Sequence, residues 1–134
     1  MKSVLYRNPQ IEVRKSLIHG YGVFALTNLP ANIILEEVPF IVVPNGVATN
    51  YVFAFPRGGT PADDTVGMTQ QKVLPFGYAC IYNHADDANA SWSTDVKRKL
   101  FVFFTIKDIQ KDEEIRTYYG SDAYWTFYPS VKKV

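Results

Sequence analysis

The sequence predicts a mainly β domain of short strands, on three observations. Apolar residues come in brief β-branched and aromatic runs or in strict alternation, the pattern of pleated strands. Gly, Pro, Asn and Asp separate those runs at close intervals, as turns require. No stretch sustains an amphipathic helical period with caps at both ends, so helix is limited to short turns.

Taken in order, Ile11-Glu12-Val13-Arg14-Lys15 alternates like a half-buried strand, and His19-Gly20-Tyr21-Gly22 interrupts it. Two glycines one residue apart let the backbone turn sharply or approach a ligand before Val23-Phe24-Ala25 resumes as strand. Asn28-Leu29-Pro30-Ala31-Asn32 reads as a turn. Ile33-Ile34-Leu35 and Phe40-Ile41-Val42-Val43 read as strands around a break at Pro39. Residues 57–66 carry the clearest loop composition. Phe76 to Tyr82 is an apolar, aromatic segment that ends abruptly in Asn83-His84-Ala85-Asp86-Asp87. Lys99 to Ile106 is apolar on both faces, which predicts a central strand. The charges of Lys107, Asp108, Lys111, Asp112, Glu113 and Glu114 predict a solvated turn.

A chain of 134 residues with 47% apolar content is one domain's worth and can hold a core without staples. A net charge of +1 gives no global basic footprint for direct nucleic-acid binding. Cys80 alone cannot form an intramolecular disulfide or a Cys-rich zinc cluster, and its apolar flanks read as a buried core thiol. The polar residues Arg7 and Asn8 interrupt the start as no signal peptide would, and the longest apolar stretch falls short of the roughly 20 residues that span a bilayer. A soluble, intracellular protein with no membrane association is expected.

Three places could carry chemistry. Gly20-Tyr21-Gly22 could bring backbone polar groups to a small ligand, Asn83-His84 with Asp86, Asp87 and Asn89 delivers hydrogen-bonding groups at the end of an aromatic segment, and Tyr118-Tyr119-Gly120 leaves a strand at a glycine. Singly, each is as readily a turn, a satisfied imidazole or a core tyrosine. No Gly-x-Ser-x-Gly, phosphate-cradling loop or His-Glu-x-x-His is present.

In combination and order the motifs resemble the SET domain of protein-lysine methyltransferases. His19-Gly20-Tyr21-Gly22-Val23-Phe24-Ala25 looks like the family's first glycine motif, and Asn83-His84-Ala85-Asp86-Asp87-Ala88-Asn89-Ala90 is similar to its Asn-His-Ser-x-x-Pro-Asn-Ala. Asp112-Glu113-Glu114-Ile115-Arg116-Thr117-Tyr118-Tyr119-Gly120 resembles Gly-Glu-Glu-(Leu/Ile)-x-x-x-Tyr-Gly, and Tyr124-Trp125 the aromatic pair that often follows. The resemblance spans about residues 11–126 of a single domain, 1–134. Its length and single cysteine resemble the minimal SET proteins of large algal DNA viruses and short bacterial ones, without zinc-binding flanking modules.

The resemblance implies a β-clip fold of several small sheets with a pseudoknot-like C-terminal segment and short helical turns. It implies S-adenosyl-L-methionine as cofactor and the ε-amine of a protein lysine as acceptor, with a histone tail the expected substrate. Tyr119 takes the catalytic place beside the transferring methyl. Gly20, Tyr21, Gly22, Asn83 and His84 would hold the cofactor, with Tyr124 or Trp125 over the adenine. Tyr51, Tyr119, Tyr82 and Phe53 are the candidates for the lysine channel. Thr117, small where the family often has Phe or Tyr, leaves room for di- or trimethylation. Ala85, Ala88 and Asp112 depart from the family's Ser, Pro and Gly, and one extra residue separates Tyr119 from Tyr124. No metal is expected. A homodimer that completes the peptide groove is a further implication, as is a location in the host nucleus if the source is a virus or effector and in the cytoplasm otherwise. A non-catalytic SET-like module that binds peptide or cofactor is the alternative, followed by a metal-dependent hydrolase using His84, Asp86 and Asp87.

Overall fold

The described residues form three small sheets from ten short strands: β1 (Ile11–Lys15), β2 (Tyr21–Ala25), β3 (Ile34–Val38), β4 (Phe40–Val42), β5 (Phe53–Phe55), β6 (Gln71–Pro75), β7 (Asn83–His84), β8 (Ala90–Asp95), β9 (Leu100–Thr105) and β10 (Glu114–Thr117). The structure, a computed structural model, describes residues 4–17, 20–43, 53–55 and 71–118, with Ala54 described by its backbone alone. The loop predicted at residues 57–66 lies outside them. The sheets run β1-β2-β10-β7, β3-β9-β8 and β4-β6-β5.

The expected central strand is β9, hydrogen-bonded to β3 on one side and β8 on the other, with every residue buried. Its alternation sorts the core. Phe101 and Phe103 join Leu35, Val38, Val73, Tyr82 and Ile115 on one face, while Leu100, Val102 and Phe104 meet Ile34 on the other. Both faces of β9 are covered by protein, which is why its sequence runs apolar without alternation. Truncating Phe103 to Ala would cost about 3–5 kcal/mol by the usual measure of a lost core aromatic.

A bulge in β3 then does something the sequence pattern hides. Ile34 pairs with Phe104 but Glu36 pairs with Phe103, so Leu35 is the extra residue and both Leu35 and Glu36 turn to the same face. Glu36 is thereby driven fully into the core, while Glu37, opposite Val102, faces the other way. The N-terminal segment covers β3's outer edge: Asn8 N donates to Leu35 O (2.7 Å) and Glu37 N to Tyr6 O (2.7 Å). That pairing closes an edge that would otherwise be open to another chain.

Pro39 breaks the chain between β3 and β4, as expected, and its carbonyl accepts from Phe76 N (2.9 Å). The strands β5, β6, β7 and β8 were not predicted: Gln71-Lys72 and Ser91 to Asp95 lack the apolar signal that marks a strand, and β5 and β7 are only three and two residues long. Among the described residues no helix forms. The expected helical turns reduce to the turn at 76–82, where Ile81 N (2.8 Å) and Tyr82 N (3.3 Å) both donate to Tyr78 O. The charged segment after β9 is only partly the solvated turn predicted: Ile109 is fully buried, exchanging backbone hydrogen bonds with Leu29 (both 2.7 Å), and Glu114 is buried at the head of β10. No helix of the described residues is long and apolar enough to cross a membrane.

Candidate functional site

Strand β10 is the junction of the site. It pairs antiparallel with β2, Glu114 opposite Phe24 and Ile115 opposite Val23, and parallel with β7, Arg116 opposite Asn83 and Thr117 opposite His84. The glycine motif, the Asn-His pair and the strand leading to Tyr118-Tyr119, far apart in sequence, therefore lie side by side in one sheet. A parallel pair cannot close through a tight hairpin, so β7 reaches β10 only through the long excursion of β8 and β9.

Glu114 holds this junction together. Its carboxylate is almost wholly buried, accepting from Ser16 Oγ (2.8 Å) and Asn83 Nδ2 (2.6 Å), with Arg116 Nη2 at 3.5 Å. Asn83 Nδ2 also donates to Tyr21 O (3.2 Å), tying β7 to β2 across the end of β10. The carboxylate sits in the space a side chain at position 22 would need: a Cβ there would overlap Glu114 Oε2, lie 2.9 Å from Glu114 Cδ and 3.1 Å from Asn83 Nδ2. Glycine at 22 is thus required by close approach, whereas Gly20 is favoured by conformation, with φ +49° and no atom of the described residues within 4 Å of an added Cβ.

The turn after β7 is fixed by backbone and amide bonds. Ala85 N donates to Thr117 O (3.0 Å), and Asn89 brackets Arg116: its N donates to Arg116 O (3.2 Å) while its Oδ1 accepts from Arg116 N (2.8 Å). Asn89 Nδ2 reaches Glu114 O (2.9 Å). These bonds keep the turn ordered without the family's Ser and Pro, with Ala88 fully buried beneath it. Asp112, where the family has Gly, adopts φ +67°, a conformation an Asp tolerates better than most residues, and pairs with Arg14 Nη2 (2.9 Å).

Of the candidate cofactor residues, Gly20, Tyr21, Gly22, Asn83 and His84 are brought together. Tyr21 is exposed beside them, and the His84 ring, 5.1 Å from that of Tyr118, contacts Asp86 Oδ1 through Nε2 (3.0 Å). Of the channel candidates, Phe53 packs edge-on against Trp92 (5.0 Å) and Phe101 (5.5 Å). Tyr82 is fully buried, stacked on Phe103 (5.0 Å, 19°), its hydroxyl donating to Glu36 Oε2 (2.7 Å). Burial and the neighbouring carboxylate hold that phenol well above the usual tyrosine value. Tyr51, Tyr119, Tyr124 and Trp125 lie outside the described residues. Cys80 is half-buried, its thiol pushed up by desolvation, with Sγ 3.8 Å from Pro75 O.

Two residues that organise this region were not picked out from the sequence. Glu114 was read with a charged turn, although its place inside the third motif was the available signal. Glu36 had no signal at all, because only the bulge decides which way it points.

The residues brought together present backbone polar groups at Gly20–Gly22 and the imidazole of His84 at one end of the sheet, hydrogen-bonding groups of the kind a small polar ligand needs. Among the described residues no atom lies within 4 Å of a Cβ placed on Gly20, and β7 is an edge strand. Gly20, Tyr21, Gly22, Asn83 and His84 are the residues that would hold S-adenosylmethionine. Among the described residues no group of three His, Cys, Asp or Glu side chains is placed to hold a metal ion; Asp86 engages His84 and Asp87 engages Lys107.

Comparison with known proteins agrees with this geometry. Residues 20–120 match the SET domain family. The chain is 25% identical to a fission yeast (Schizosaccharomyces pombe) histone-lysine N-methyltransferase specific for H3 lysine-37, over 93% of this chain and 82% of that protein. In structure it resembles a candidate histone methyltransferase of Plasmodium falciparum, at TM-score 0.64 and 27% identity, covering 86% of this chain and 96% of that one. It also shares its fold with the Neurospora SET domain protein DIM-5, a histone lysine methyltransferase, at TM-score 0.62 and 19% identity, covering 83% of this chain and 52% of that one. With three motif segments joined on one strand and the match running across them, the chain belongs to the SET domain family of protein-lysine methyltransferases.

Proposed function

We propose that the protein transfers the methyl group of S-adenosylmethionine to the ε-amine of a lysine in a histone tail, adding two or three methyls. The observation that carries this reading is the meeting of Gly20–Gly22, Asn83–His84 and the strand entering Tyr118-Tyr119 along β10. The cofactor supplies an electrophilic methyl on a sulfonium. The protein's part is alignment and exclusion of water, so no strong acid/base pair is demanded. Gly20, Tyr21, Gly22, Asn83 and His84 bind and orient the cofactor, Tyr124 or Trp125 covers its adenine, and Tyr119 aligns the amine. Tyr51, Phe53 and Tyr82, with Tyr119, form the lysine channel.

The histone assignment is supported by the fission yeast relative, whose length this chain nearly spans. The degree of methylation rests on Thr117, a small residue at the position where the family often places an aromatic. A nuclear location follows from a histone substrate, and a homodimer that completes the peptide groove is testable by sedimentation.

Incubation with labelled S-adenosylmethionine and core histones, beside Tyr119→Phe, tests the reading. Label on a histone lysine from wild type, and loss of most of it in Tyr119→Phe, is the expected result. Tight cofactor binding without transfer to any histone or lysate protein would instead identify a binding module. Mass spectra showing only monomethyl product would refute the assigned role of Thr117.

A further inference from the structure

We infer that Glu36 is a positioning residue for the Asn83–His84 end of the site, with Arg7 as its counter-charge. The inference rests on the cofactor reading above and adds to it a support that reaches from outside the matched stretch of residues 20–120.

The bulge at Leu35 turns Glu36 inward beneath the turn at 76–82, and its carboxylate grips that turn at two points. Tyr78 N donates to Glu36 Oε1 (3.1 Å) and Oε2 (3.2 Å) in the first half of the turn, and Tyr82 Oη donates to Oε2 (2.7 Å) where it finishes. Tyr82 is bonded directly to Asn83, and its ring is clamped on the far side by Phe103. The carboxylate therefore sets where the chain emerges into β7. Close packing under the turn leaves no slack: Gly77 has φ +67°, and a Cβ on it would stand 2.5 Å from both Glu36 Oε1 and Val38 Cγ1.

A buried carboxylate is costly unless charge and hydrogen bonds compensate it. Arg7, in the segment paired to the edge of β3, places Nε 3.8 Å from Glu36 Oε1 and its guanidinium 4.0 Å above the Tyr78 ring. It thus holds both the charge and Tyr78, the first residue of the turn that the carboxylate grips. Glu37 supplies an internal comparison. Equally part of β3 and also buried, it faces the other way and takes Tyr6 N (3.0 Å) and Arg98 Nη1 (2.6 Å).

The test compares Glu36→Gln, Arg7→Ala and Arg98→Ala with wild type. S-adenosylhomocysteine affinity is measured by calorimetry, and the backbone amide resonances of Asn83 and His84 are followed in the ligand-free protein. Glu36→Gln is expected to weaken binding about tenfold and Arg7→Ala about threefold, both shifting the two amides. Arg98→Ala should lower thermal stability while keeping affinity within about twofold of wild type. Arg7 is half-exposed, so its variant carries the test even where Glu36→Gln does not fold. Affinity unchanged in Arg7→Ala, or lost equally in Arg98→Ala, would overturn the inference. If wild type itself does not bind S-adenosylhomocysteine, the cofactor reading falls. The amides of Asn83 and His84 then decide the positioning role alone: shifted in Arg7→Ala they support it, unmoved they refute it.

Discussion

The carboxylate of Glu114 occupies the volume that a side chain at Gly22 would fill, with Glu114 Cδ 2.9 Å from where the missing Cβ would stand. The two positions lie on neighbouring strands of one sheet, so the glycine of the first motif and the second glutamate of the third are a single steric unit. A double-mutant cycle reads this out. Gly22→Ala should cost about 2–3 kcal/mol through overpacking. Glu114→Ala should cost about 2–4 kcal/mol by stranding the Ser16 and Asn83 donors. The double variant should lose at least about 1 kcal/mol less than the sum, since removing the carboxylate makes room for the methyl. Denaturant unfolding measures all three, and strict additivity would show that the two do not compete for space.

Acid should act on this fold in an unusual direction at one residue. Burial raises Glu36 above the ordinary carboxylate value of 4.5, against the opposing influence of Tyr82, the Tyr78 amide and Arg7. The folded chain thus holds that proton more tightly than the unfolded chain. The associated stability is fully present below pH 4.5 and is lost as pH rises through the raised value. Wild type should lose stability relative to Glu36→Gln as pH is raised from about 4 towards neutrality. Urea unfolding of both proteins in pH steps checks the sign, and a difference that grows in wild type's favour with pH would contradict the burial argument.

Two glycines with positive φ should respond unequally to alanine. At Gly20 no atom of the described residues lies within 4 Å of an added Cβ, so only backbone strain, about 1–2 kcal/mol, is expected. At Gly77 the same strain adds to collisions with Glu36 and Val38, so the loss should exceed about 3 kcal/mol. Comparable thermal shifts for the two variants would mean that the core under Gly77 yields more easily than its packing implies.

Thr117 offers a gain-of-bulk test of product degree. Its side chain is buried next to β7, its carbonyl accepting from Ala85 N. Thr117→Phe should shift the product distribution towards monomethyl lysine, as read by mass spectrometry of a reacted histone peptide. An unchanged distribution in a folded, active variant would remove Thr117 from control of the product.

Much of this protein was legible in its sequence. Alternation marked β1, an unbroken apolar run marked β9 as central, and Pro39 marked the break after β3, because each signal is local and follows from which faces a strand buries. The four motifs, in order, pointed to the family that the match over residues 20–120 then established. Their meeting on β10 was not legible, since a parallel pairing between β7 and β10 depends on a long excursion that no local pattern encodes. Nor were the roles of Glu36 and Glu114, two carboxylates that composition assigns to solvent. A one-residue bulge turns the first inward, and a missing Cβ at Gly22 makes room for the second. Sequence determined the strands whose apolar pattern is strong and the family they serve; packing alone decided which charged groups are buried, because burial depends on what lies opposite in space.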